Sequence, residues 1–186
     1  MEFLSVPFLL VYCVVVGSRF AFEMPADLRA NWVFRYWLDP AQQDAIPVAR
    51  RVLLLFSLPW LAPAAFLSVL FFWGWAAALL HAAIVSGCTF LLVEAVLIRF
   101  RKIPFTCSYP PFQSHSALIF VAYLFGFLFF TDYLPQMEHW ALRNPWQAAW
   151  FVPLLGIGFA ALRQYRKQML DMDKQLIFEE PASSTF

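Results

Sequence analysis

Glu94 is the only acidic residue well inside any long apolar stretch of this 186-residue chain, and His81 shares its stretch, Ala76–Ile98. A carboxylate is costly to hold in hydrocarbon, so it marks proton or ion handling unless a cation pairs with it. Depth favours the pairing. Gly87 is the midpoint of the stretch, and Glu94 lies about 10 Å beyond it along a helix. That leaves it about 5 Å inside a hydrocarbon core of about 30 Å. Arg99 and Arg101 follow within two turns, Arg101 on nearly the same helix face. The expected Glu94 is therefore ionised, paired with interfacial arginine and structural in role.

His81 lies near the other end of the stretch, about 20 Å along the helix from Glu94 and about 220° around it. The two cannot form one metal site or one acid–base pair within that helix. A single histidine at a span end is expected to be a packing or interface residue. The chain has no His-x-x-x-His pair, no serine elbow and no phosphate-binding glycine loop. Cys13 and Cys88 fall in apolar stretches and Cys107 in a loop, without the spacing of a zinc or dithiol site. No catalytic residue, metal ligand or cofactor is therefore expected.

Two other features bear on chemistry. Pro59 and Pro63, in Leu58-Pro-Trp-Leu-Ala-Pro63, are one turn apart and predict a helix kink. Broken helices build transporter sites, but neighbours often re-satisfy the backbone around membrane prolines, which favours a kink without a site. Arg99, Arg101 and Lys102 open a loop interrupted by Pro104, Pro110 and Pro111. They are a candidate contact for anionic lipid. Three cations fall short of the four to eight that usually read as such a site, so their expected role is to anchor the preceding span.

Composition sets the elements that must carry these residues. The chain is 62% hydrophobic and 13% charged, whereas soluble domains carry about 45–50% apolar and about 25% charged residues. A membrane solves that imbalance because lipid solvates apolar side chains. A spanning helix needs about 20 apolar residues, and the stretches that qualify are 3–22, 52–72, 76–98, 116–134 and 145–162. The expected fold is all-α, a five-span transmembrane bundle over residues 1–163 with a tail at 164–186. Trp73-Gly74-Trp75 joins the second and third spans as a tight antiparallel hairpin. Small residues at four-residue spacing (Ala78, Ala82 and Ser86, with Ala83 and Gly87 alongside; Gly156 and Ala160) let helices approach closely, so the third and fifth spans are the expected internal contacts of the bundle. The Phe-rich fourth span is expected to face lipid.

Charge orients the bundle. Twelve of the thirteen Lys and Arg fall in segments that share one side, and Arg143 alone falls on the other. The positive-inside bias then puts the N-terminus outside and the C-terminus in the cytoplasm. Trp73, Trp75, Tyr133, Trp140 and Trp146 cluster on the proposed outer side, as interfacial aromatic rings do. The charge before the first span is Glu2 and the charge after it is Arg19, which suits an N-out anchor better than a cleaved leader. A span starting so close to residue 1 is also what a piece of a longer membrane protein would show. Upstream coding sequence with further apolar segments is the observation expected in that case.

Residues 26–39 read as a short amphipathic helix, with Trp32 and Tyr36 on one stripe and Arg35 on another. The expected role is an interfacial elbow before the second span. The near-neutral net charge of +1 disfavours nucleic acid, whose partners usually present a basic face. The lipid bilayer, and other membrane subunits, are the expected partners.

The segments Phe22–Phe34 (FEMPADLRANWVF) and Phe100–Tyr109 (FRKIPFTCSY) resemble stretches of uncharacterised bacterial multi-pass inner-membrane proteins. The resemblance covers about an eighth of the chain and implies a bacterial inner-membrane setting, with no activity and no catalytic residue. The favoured expectation is a non-enzymatic subunit or part of a transport or export assembly. The alternative is a membrane-embedded enzyme acting on lipid or lipid-linked substrates.

Overall fold

The computed structural model describes residues 2–22, 45–98, 116–143 and 145–172, and every regular element among them is helical. Helix α1 is Glu2–Ala21. A helical run over Ala45–Val96 follows, then α4 at Ser116–Leu128, α5 at Leu134–Arg143 and α6 at Pro145–Met172. The interfacial helix expected at 26–39, the cluster Arg99, Arg101 and Lys102, and the end of the tail lie outside the described residues.

Gly74 divides the run of 52 residues. Its φ of 83° and ψ of 176° break the helix there, giving α2 (45–73) and α3 (75–96). A straight helix would hold Arg50 and Glu94 about 66 Å apart, yet they form an ion pair. The rings of Phe66 and Trp75 also meet, at 5.0 Å. The expected hairpin is therefore present, and glycine makes it. Backbone in this region is essentially restricted to glycine, while a Cβ at Gly74 would meet nothing within 4 Å. Gly74→Ala is thus expected to cost about 1–3 kcal/mol through backbone strain alone. The check is the melting temperature of the purified protein, and an unchanged value would show that the turn relaxes freely.

Side-chain contacts fix the helix directions. Phe8 meets His81 edge-on at 5.8 Å and Arg19 Nε donates to the Val96 carbonyl at 3.3 Å, so α1 and α3 are parallel. Leu155 lies against Gly87 and Leu91 against Gly158, so α6 is parallel to α3 as well. Phe20 packs on Tyr123 and Tyr12 on Phe127 and Phe130, so α4 is antiparallel to α1. Helices α1, α3 and α6 therefore run toward one end, which gathers Arg19, Arg50 and Arg166. Helices α2 and α4 run toward the other, which gathers Trp73, Trp75 and Tyr133.

On α3 the small residue Gly87 lies at the contact with α6, whereas the small residues expected on α6 do not. Gly156 faces open space and Ala160 is exposed, whereas Gly87 and Gly158 receive leucines. A Cβ at Gly87 would come within 2.9 Å of Leu155 Cδ1. Pro59 and Pro63 are exposed on α2, and Gly74 is the position where helical dihedrals are lost.

A π turn at Phe129–Tyr133 links α4 to α5 in one continuous helix, since Leu128 and Leu134 keep helical dihedrals. Pro135 supplies the physical reason. It donates no backbone hydrogen bond, and its ring crowds the carbonyl four residues back, at Thr131. A wider turn relieves that crowding and adds a residue to the register. The helix continues beyond the expected span end and brings Leu134, Pro135, Glu138 and Ala141 to its buried face.

Two helical stretches are long and apolar enough to cross a membrane, Phe3–Ala21 and Pro47–Val96. The second contains the Gly74 turn. Helix α4 has 13 residues, short of the length a bilayer needs until the π turn and α5 extend it.

Candidate functional site: buried ionic clusters at the two ends of the bundle

At the arginine end, Glu94 is 1% exposed and is engaged from two other helices. Arg166 of α6 donates through Nη1 to Oε2. Arg50 of α2 faces Oε1 as an ion pair outside hydrogen-bond alignment. The hairpin explains the second partner, because it returns the end of α3 to the start of α2. Helix α6 supplies the first by continuing past its apolar part, so that a long arginine reaches back. The ring of Phe159 lies 5.6 Å under the Arg50 guanidinium, a cation–π contact that steadies it. Burial pulls the Arg166 guanidinium below its ordinary range; Glu94 opposes this, while Arg50 and Arg163 add to it. Among the described residues, positive charge is therefore in surplus around Glu94.

Glu94 is thus paired with arginine as expected, but the partners come from distant segments. Arg99 and Arg101, the expected ones, lie outside the described residues. A cavity of about 380 Å³ opens beside the cluster, lined by Pro47, Arg50, Arg51, Leu54, Phe90 and Arg166.

No family model, curated protein or solved structure matches this chain. Its chemistry has to be read from its own geometry.

At the opposite end, His81 and Glu138 are both fully buried, and His81 Nδ1 lies 2.7 Å from Glu138 Oε1. Sequence reasoning found the histidine and missed the acid, which it left in an outer loop. The signal was present. Glu138 falls four residues after Leu134 and three before Ala141, on one helical stripe. The expected topology also put His81 and residues 135–144 on the same side. His81 Nε2, Glu138 Oε2 and the neighbouring His139 Nδ1 have no hydrogen-bond partner among the described residues. The His139 ring lies 5.3 Å from that of Trp73.

The structure therefore separates His81 and Glu94 into different clusters at opposite ends of α3. Among the described residues, no three His, Cys, Asp or Glu side chains group as a metal site. The first cluster can hold three helix ends together and attract an anion. The second can share a proton between imidazole and carboxylate.

Proposed function

We propose that the chain is a multi-pass inner-membrane protein with five spans, the N-terminus outside and the C-terminus in the cytoplasm. We further propose that it serves as a non-enzymatic subunit of a transport or export assembly. The observation that carries the membrane reading is an inverted distribution of polarity. Trp60 and Trp150 are each 76% exposed and Phe71 is 82% exposed, whereas Glu94, His81 and Glu138 are at most 1% exposed. In water such a surface would be a large aggregation liability; in lipid it is the expected outer face, with ionisable groups turned inward and paired.

Alternating helix directions support five crossings. Arg19, Arg50 and Arg166 gather at one end, matching the charge bias in the sequence, and the tryptophan-rich turn at Gly74 lies at the other. A subunit role is supported by the clamp on Glu94, which ties α2, α3 and α6 together and leaves the carboxylate fully engaged.

Reporters fused after Trp73, Lys102, Arg143 and Phe186 should read outside, inside, outside, inside. A periplasmic signal from the Lys102 or Phe186 fusion would overturn the orientation. For the assembly, the chain extracted in mild detergent should co-migrate with stoichiometric partner subunits whose membrane levels fall when it is deleted. A chain that runs alone, with no partner affected by the deletion, would remove the subunit reading.

A further inference from the structure

We propose that the cavity between the start of α2 and the end of α6 binds the phosphoryl headgroup of an anionic phospholipid. This rests on the membrane reading above but goes beyond it, and its residues differ from the cluster Arg99, Arg101 and Lys102.

Charge is the first argument. Arg50, Arg51 and Arg166 line the cavity, and Glu94 is the carboxylate that answers them. Among the described residues two positive charges are left over, and Arg163 stands close enough to act on Arg166. Arg51 is exposed and pairs with no carboxylate among the described residues. Guanidinium groups present planar, paired donors that match phosphate oxygens. Pro47, in the first turn of α2, lines the same space.

The walls decide which phosphoryl compound fits. Leu54 and Phe90 complete the lining, Phe90 is partly exposed, and Val52, Leu55 and Phe56 continue an exposed apolar surface from the rim along α2. A free phosphate would gain nothing from those side chains, whereas acyl chains would lie against them. Basic pockets between spans on the cytoplasmic side are where anionic headgroups are generally held. The volume of about 380 Å³ suits a headgroup and lies at the lower end of ordinary ligand cavities.

The test is lipid retention by the full chain, purified in detergent and placed in nanodiscs of phosphatidylcholine doped with phosphatidylglycerol. Wild type should retain phosphatidylglycerol over phosphatidylcholine, measured by native mass spectrometry. Arg51→Gln should weaken that preference about fivefold, the value of one cation near an anionic headgroup, and Arg51→Lys should restore part of it. Arg51 supports no described ion pair, so both variants should melt as wild type does. Equal retention of the two lipids, or an unchanged preference in Arg51→Gln, would overturn the proposal. Displacement of the lipid by millimolar inorganic phosphate would show a free-phosphate site and overturn the lipid assignment. A chain released from membranes by alkaline carbonate without detergent would instead sink the membrane reading itself.

Discussion

Glu94→Ala is expected to destabilise the folded bundle by about 3–5 kcal/mol, the usual cost of removing one partner from a buried ionic cluster. The size follows from what remains. Arg166 is 9% exposed and loses the carboxylate its Nη1 donates to, while Arg50 stays beside it with the same charge. Two guanidinium groups then repel each other with nothing between them. Glu94→Gln keeps an acceptor for one arginine but not the charge, so its loss should fall below that of alanine. Replacing the whole cluster with apolar residues of similar volume (Arg50→Leu, Glu94→Leu, Arg166→Met) should recover most of the stability, because buried ion triads are often matched by good apolar packing. Denaturant titration of the purified protein reads all three. If Glu94→Gln instead folds as wild type and abolishes the physiological phenotype, the carboxylate handles a proton or ion and the clamp is incidental.

The apolar stretches, the hairpin at Gly74 and Gly87 as a position of close helix approach were legible because each is a local pattern. Apolar runs reveal helices, and a glycine between tryptophans reveals a turn. What stayed hidden was long-range. Nothing near Glu94 in sequence names Arg50 or Arg166, since the hairpin that returns one and the extension of α6 that supplies the other are tertiary facts. The expected partner Arg101 lies outside the described residues. The α3–α6 register was misplaced because Gly156 and Ala160 satisfy the small-residue spacing as well as Gly158 does. Spacing alone cannot tell which face turns inward. Glu138 was missed for a different reason. The fourth stretch was ended at residue 134, but the π turn accommodates Pro135 and the helix continues. A proline directly after an aromatic run, followed by a stripe of Leu134, Glu138 and Ala141, marks a helix that widens instead of ending.

Cutting the His81–Glu138 pair on one side is expected to cost about as much as cutting the clamp, about 3–5 kcal/mol, because both groups are fully buried. Glu138→Leu leaves His81 Nδ1 without its partner, while Nε2 already has none among the described residues. His81→Leu strands the carboxyl in the same way. Combining the two substitutions removes both polar groups, so the double variant should be more stable than the sum predicts, with a coupling of about 1–3 kcal/mol. Simple additivity would mean that the pair contributes nothing jointly.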